Sequence, residues 1–523
     1  MRFFNTAGPI VPERHYYIPT KDRINVEEIL HLIDQMKYFI LHAPRQSGKT
    51  TTLLALMKML NESGKYKCLY VNVESAQAAR ENVEEVNRSI LEALESSEDI
   101  HLKEDIISKN MDTALKKSSN NALVNILKIW TQGSPLPTVL LIDEIDSLVG
   151  DGLISVLRQL RSRYADRPSA FPQSVILCGV RDIKDYRIHS GKEKEIITGG
   201  SCFNIKAKSL TMKNFTLGDV RNLYQQHTKE TGQTFTNDAI ERSFDWTNGQ
   251  PWLVNALAYE TCFELPDGKD RKTEITSDMI DIAKESLIKG RVTHLDQLAD
   301  KLKEDRLKNI IGPMIAGDDF EEFKYDDIEY AIDLGLIIRG PNGLEVSNKI
   351  YKEVIPRELS NLTQTRIESK VDRLWFVKND ATLDVVKLLE YFQEFFRENS
   401  EIWIERFDYK EAGPQLLLQA YLQRVVNGGG RIFREYGLSR KRTDLLVEWK
   451  DGSKFVIELK ILHKSIEKTI EDGLKQTWDY MDRTGTDTGH LIVFNRNKDI
   501  SWDDKIFREE KIFNGKKIVV WGC

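Results

Sequence analysis

The stretch from Tyr38 to Leu60, YFILHAPRQSGKTTTLLALMKML, limits what the chain can fold into more than any other. Phe39 to His42 is an apolar run of strand length, and Leu53, Leu54, Leu56 and Met57 form one apolar side at helical spacing. Between them, Ala43 to Thr50 fits the pattern GxxxxGK[ST], with Ala43 in place of the first glycine. A strand, a tight loop and a helix in this order aim loop N–H groups and the positive helix end at one point, which suits phosphate. Arg45, Gln46, Ser47, Gly48, Lys49, Thr50 and Thr51 are therefore the expected triphosphate-binding residues. Lys49 is expected to reach the β and γ phosphates, and Thr50 to hold Mg²⁺.

Further strands agree with a phosphate site. KCLYVNVES (67–75) reads as one. TVLLIDEIDSL holds four apolar residues, Val139 to Ile142, and then Asp143 and Glu144. Acids at the end of a buried strand lie where open α/β sheets bind ligands. Asp143 is expected to hold Mg²⁺, and Glu144 to polarise the attacking water. SVILCGVRD is another buried strand, ending at Arg181. That residue either reads the γ-phosphate or is a surface arginine in a loop. The order of strands and helices implies a parallel sheet with helices on both faces.

These motifs resemble the P-loop ATPases of the AAA/STAND group, whose sheet is of the ASCE type. DWTNGQPWLVNALA (245–258) resembles the GxP motif of STAND proteins. The resemblance implies that Pro251 sits in a helical lid against the nucleotide base or sugar. Read alone, Gly-Gln-Pro is a helix start with proline in the first turn. The stretch from Glu13 to Tyr17 packs either on adenine or simply against the core. ATP and an ATP-dependent homo-oligomer follow as implied cofactor and assembly.

Residues 296–359 read as helices followed by GLIIRGPNGLEVSNKIY, where Gly340 to Gly343 is a hairpin turn. Helices with a two-stranded wing suggest a winged helix. YDDIEYAIDLG is acidic where a DNA-reading helix would be basic, so an internal packing role is the expectation.

Near the C-terminus, RTDLLVEWKDGSKFVIELK (442–460) alternates Leu445, Val447 and Trp449, then Phe455, Ile457 and Leu459. Such alternation signals two strands, each with one buried face. For the apolar rows to meet, paired residue numbers must sum to an even number, which a three-residue loop at Lys450 to Gly452 provides. Asp444 then lies opposite Glu458, with Lys460 two residues on, all within about 5–8 Å. Two acids suit Mg²⁺, and a lysine suits phosphate charge. The plainer reading of the same residues is a salt-bridged hairpin face. GPQLLLQAYLQRVVNGGG is an expected helix, with Glu411 just ahead of it. RIFREY, the hairpin, a helix with Gln476 and Tyr480 on one face, and GHLIVFNRN follow.

That succession resembles the core of the PD-(D/E)xK nuclease superfamily. The resemblance implies catalytic Asp444, Glu458 and Lys460, with Asp444 and Glu458 as ligands for Mg²⁺ or Mn²⁺. Gln476 and Tyr480 match the QxxxY element of some branches. Glu411 is either an additional helix acid or a solvated residue. Thr443 stands where the motif has proline.

The chain of 523 residues carries 75 Lys and Arg against 81 Asp and Glu, a net charge of −6. That balance gives no global nucleic-acid footprint. Between Arg431 and Lys464, however, Arg and Lys outnumber Asp and Glu by nine to five. The five cysteines are scattered without CxxC, against a disulfide framework or structural zinc. No apolar run nears the about 18 residues of a membrane helix, and the N-terminus is not a signal peptide. A cytoplasmic protein with no membrane partner is expected.

The expected architecture is α/β and multidomain. A P-loop ATPase core with its lead-in takes 1–205, a helical lid 206–290, a winged-helix-like domain 291–362 and a PD-(D/E)xK, restriction-endonuclease-like α/β domain 363–523. The combined resemblance implies an ATP-hydrolysing switch over a metal-dependent endo- or exonuclease acting on DNA or RNA, with a trigger or partner protein, in prokaryotic defence or on mobile elements. The alternative is a nucleotide-dependent interaction switch, or a DNA translocase or loader, that binds nucleic acid without cutting.

Overall fold

The computed structural model describes residues 1–181, 188–189, 196–197, 207–290, 300–302, 304–316, 324–340, 343–359, 376–378, 380–406, 418, 421–422, 431–435, 444–462, 465–495, 497 and 500–523. Its contacts divide the chain into two units. The first is 1–292 with 329–337 and 347–350; the second is 293–328, 338–346 and 351–523. The stretch expected as one winged-helix-like domain is thus shared between the units. It contains the helix α6 (Tyr325–Asp333) and the two-stranded sheet of Ile337–Gly340 and Gly343–Val346.

The first unit is built on five parallel strands: β1 (Phe39–His42), β2 (Lys67–Asn72), β3 (Thr138–Asp143), β4 (Ser174–Gly179) and β5 (Lys208–Thr211). Their order is β2-β3-β4-β1-β5, so β4 lies between the strand leading to the loop at 43–50 and the strand ending at Asp143. Strands buried on both faces need apolar residues at nearly every position, and β3 and β4 are buried throughout. Alternate residues serve two cores. Ile40, Leu69, Leu140, Ile142, Val175 and Leu177 pack with the helices Val83–His101, Ala122–Gly133 and Gly150–Ser162. Phe39, Leu41, Cys68, Val139, Leu141 and Ile176 pack with Val26–Asp34 and with α1 (Lys49–Glu62).

A bundle of helices follows β5: α2 (Leu217–Thr231), α3 (Asn237–Thr247), α4 (Pro251–Tyr259) and α5 (Ser277–Lys289). Thr216 and Asp219 close α2 with a capping box. Gln250 caps α4, with Pro251 in its first turn. Gly249 is fixed by two demands. Its φ is +68°, and a Cβ there would overlap the Phe215 carbonyl.

The second unit holds a six-stranded mixed sheet: β6 (Arg431–Glu435), β7 (Asp444–Glu448), β8 (Lys454–Ile461), β9 (Thr488–Phe494), β10 (Phe507–Phe513) and β11 (Lys516–Gly522). The order is β6-β7-β8-β9-β11-β10. β6, β7 and β8 run antiparallel, β8-β9 and β9-β11 parallel, and β10-β11 antiparallel. Leu445, Val447, Ile457, Leu459, Ile492 and Phe494 form one core with α7 (Val385–Arg406), which contributes Leu388, Leu389, Phe392 and Phe396. Val456, Leu491, Val493, Ile518 and Val520 form the other with Tyr480 and Met481 of α8 (Ile466–Thr484). The helix expected at 413–430 falls largely outside the described residues.

Candidate functional site

In the first unit the loop after β1 turns sharply into α1. Gln46 has φ +55° and Gly48 +90°, and a Cβ on Gly48 would stand 2.9 Å from Arg23 Nη1. Lys49, the first residue of α1, is 6 % exposed. Its Nζ donates to the carbonyls of Ala43 (3.0 Å) and Pro44 (3.1 Å), which folds it back over the loop. Thr50 Oγ1 donates to Asp143 Oδ2 at 2.7 Å, and Tyr70 OH donates to the same oxygen at 3.1 Å. Asp143 is fully buried. Two oxygen ligands so close, beside a phosphate-binding loop, fit a hard divalent cation that keeps several waters.

Glu144 takes the left-handed backbone conformation, φ +55°, at a cost of order 1–3 kcal/mol for a non-glycine residue. Two bonds hold it there. Its N–H donates to Asp143 Oδ1 at 3.0 Å, and its carbonyl accepts from Ser147 N at 2.9 Å. Burial, chiefly, raises its carboxyl above the usual glutamate range; nearby Asp146, Asp143 and Glu74 add to this, while Lys49 opposes it.

These groups open into a cavity of about 290 Å³. Gln46 and Gly48 to Thr52, with Glu144, line its polar end. The remaining walls come from three distant segments: 5–10 with 16–18, Thr20 and Arg23, then Phe215 and Leu223, then Pro251, Trp252 and Asn255 of α4. Pro251 therefore lies at the cavity, as do Tyr16 and Tyr17. The N-terminal segment is fastened in place, with Ile10 N donating to Thr51 Oγ1 (3.1 Å) and Trp252 Nε1 to the Thr6 carbonyl (2.7 Å). Thr51 thus serves the N-terminal segment as well as the cavity wall.

Arg23 was not among the residues singled out by motif. It is 8 % exposed and ties three parts of the site together. Nη1 donates to the Ser47 carbonyl (2.5 Å), Nη2 donates to the Lys213 carbonyl (2.7 Å), and the guanidinium lies 5.0 Å from the Phe215 ring centroid. Burial lowers its pKa to about 10, with Asp219 opposing.

Arg45 is exposed and, like Arg181, is not among the residues lining the cavity. Arg181 instead meets α6. Its Nε is 3.9 Å from Asp333 Oδ2, and its guanidinium is 4.5 Å from the Tyr330 ring centroid. His42, at the end of β1, approaches the other Asp333 oxygen at 3.9 Å and bonds Thr211 Oγ1 at 3.0 Å.

In the second unit, β7 and β8 pair Asp444 with Glu458, Leu445 with Ile457 and Val447 with Phe455. Gly452, φ +84°, closes the three-residue loop, and its N–H donates to the Trp449 carbonyl at 2.9 Å. The Glu458 carboxylate is fully buried, with Lys460 Nζ at 2.6 Å from Oε1. Lys460 Nζ also donates to Gln476 Oε1 of α8. Tyr480, one turn further, is 3 % exposed and packs in the core beneath α8. Glu411 lies outside the described residues.

Residues 33–186 match the family model described as AAA domain. No curated protein matches the chain. Among solved structures, a Walker-type ATPase of Pyrococcus abyssi is similar at 14 % identity and TM-score 0.44, covering 67 % of this chain and 99 % of that one. The Thermotoga maritima RuvB Holliday junction branch migration motor is similar at 14 % identity and TM-score 0.33, covering 64 % and 95 %. Among the described residues no helix is long and apolar enough to cross a membrane. The segment 33–186, with its loop at 43–50 and its Asp143–Glu144 pair, is an AAA-type P-loop ATPase domain within a longer chain.

Proposed function

We propose that this chain is an ATP-driven switch governing a magnesium-dependent nuclease centred on Asp444, Glu458 and Lys460. The ATPase half rests on the AAA domain and on the Lys49, Thr50, Asp143 and Glu144 geometry. Thr50 and Asp143 would hold Mg²⁺, which when bound offsets phosphate charge. Lys49 is positioned to exchange its two carbonyl partners for phosphate oxygens. Glu144, whose carboxyl favours its proton more than an ordinary glutamate, serves as the base that orients and deprotonates water.

The observation that carries the nuclease half is the register. It sets Asp444 directly opposite a fully buried Glu458, itself 2.6 Å from the Lys460 ammonium. Burying charges away from water is costly, and packed apolar residues serve stability as well or better. A buried acid beside a half-buried lysine, with Gln476 fixing the lysine, is better accounted for by chemistry on a charged substrate. Asp444 and Glu458 would supply oxygen ligands to Mg²⁺, and Lys460 the positive charge for the phosphodiester. The setting implied by the resemblance is prokaryotic defence or mobile-element biology.

The test is Mg²⁺-dependent cleavage of single- and double-stranded DNA and RNA by the full chain, without nucleotide, with ADP and with ATP. Wild type is expected to cut in a nucleotide-dependent manner, and Glu458→Ala to lose cutting while retaining ATP hydrolysis. Cutting at equal rates in all three nucleotide states removes the switch. Nucleic-acid binding without cutting in every state favours a binding-only switch or a loader.

A further inference from the structure

We infer that Asn255 reads the base of the bound nucleotide, with its Oδ1 accepting a hydrogen bond from the 6-amino group of adenine. This rests on the nucleotide reading of the cavity and deepens it. Asn255 is 7 % exposed, lies on α4 one turn after Pro251, and lines the cavity with it. Its Nδ2 donates to the Pro251 carbonyl at 2.8 Å. That bond settles which way the amide points, since the flipped side chain would set two carbonyl oxygens together. Oδ1 then has no hydrogen-bond partner among the described residues. A buried acceptor left unpaired is costly, and one on a cavity wall is answered by a ligand that donates.

The cavity decides which donor. Its polar end is the phosphate loop. The lining also includes Tyr17, Ile18, Phe215, Leu223 and Pro251, apolar surface on which a flat ring can pack, together with the polar Asn5, Thr6, Thr20 and Arg23. Adenine offers an amino group on its edge. A purine with hydrogen at that position offers nothing there, and guanine places a carbonyl there, which repels Oδ1.

The experiment compares equilibrium binding of ATP, 2′-deoxy-ATP and purine riboside triphosphate (adenine's amino group replaced by hydrogen) to the full chain. Wild type is expected to prefer ATP over purine riboside triphosphate by about tenfold to a hundredfold, the range for one buried group left unpaired. Asn255→Leu is expected to erase that preference while holding purine riboside triphosphate as wild type does, which also shows that the variant folds. A preference surviving in Asn255→Leu overturns the assignment. So does a preference for ATP over 2′-deoxy-ATP that Asn255→Leu alone removes, because Oδ1 would then serve the ribose. Wild type that binds no triphosphate at all overturns the nucleotide reading beneath it.

Discussion

Lys49 and Glu144 have different proposed roles, and their substitution should separate binding from hydrolysis. Lys49 is the loop's buried cation, so Lys49→Ala should abolish nucleotide binding, measured by titration. Glu144→Gln keeps shape and polarity but removes the base, and should bind ATP while losing about 10²–10⁴ in hydrolysis rate. The base acts ionised, and burial holds its pKa above the ordinary glutamate value of 4.5. Falling pH therefore protonates it early. Wild type should show an acid limb of hydrolysis that vanishes from the residual rate of Glu144→Gln; an acid limb unchanged in Glu144→Gln would show that another group is the base. These four residues could be named from the sequence because the signal is local: the loop places Lys49 and Thr50, and the end of one strand places Asp143 and Glu144. Arg23 and the segment 5–10 could not, because they reach the cavity only through packing. Asn255 had a readable signal in its spacing of four from Pro251, which puts both on one helix face.

Hairpins are the elements that sequence specifies most fully, because alternation and loop length together set the register. The parity of Leu445, Val447, Phe455 and Ile457 led directly to the observed pairing of Asp444 with Glu458. Helix-to-sheet packing was less legible, since a glycine in a helix gives no sign of what approaches it. Gly473 of α8 is such a case. A Cβ there would stand 2.6 Å from Leu491 Cδ1, on a fully buried leucine of β9. Gly473→Val should therefore push α8 off the sheet and cost about 1–3 kcal/mol, the usual penalty of overfilling a packed core. Chemical denaturation of the C-terminal unit measures it. Because Gln476 and Tyr480 ride on the same helix, the proposed nuclease activity should fall with it, while unchanged stability would mean that α8 packs elsewhere.

At the scale of the molecule, each unit has a main sheet with apolar packing on both faces among the described residues. Calorimetry should accordingly resolve two unfolding transitions. Mg²⁺ with ATP should raise the one belonging to the N-terminal unit, since a ligand stabilises only what it binds when folded; a shift of both by equal amounts would mean that the chain unfolds as one body. The return of 329–337 and 347–350 to the first unit was not readable from motifs, since contacts far apart in sequence leave no periodic trace. That return has a consequence for the newborn chain. The Arg181 and His42 contacts join Asp333 to chain made about 150 and about 290 residues earlier. At about 5–20 residues per second, the ribosome delivers Asp333 roughly 8–30 s after Arg181. The ATPase sheet can assemble in that interval, but the N-terminal unit is finished only once synthesis has passed residue 350. Protease pulses on stalled nascent chains should find protection of the helix containing Asp333 appearing in a late, separate step.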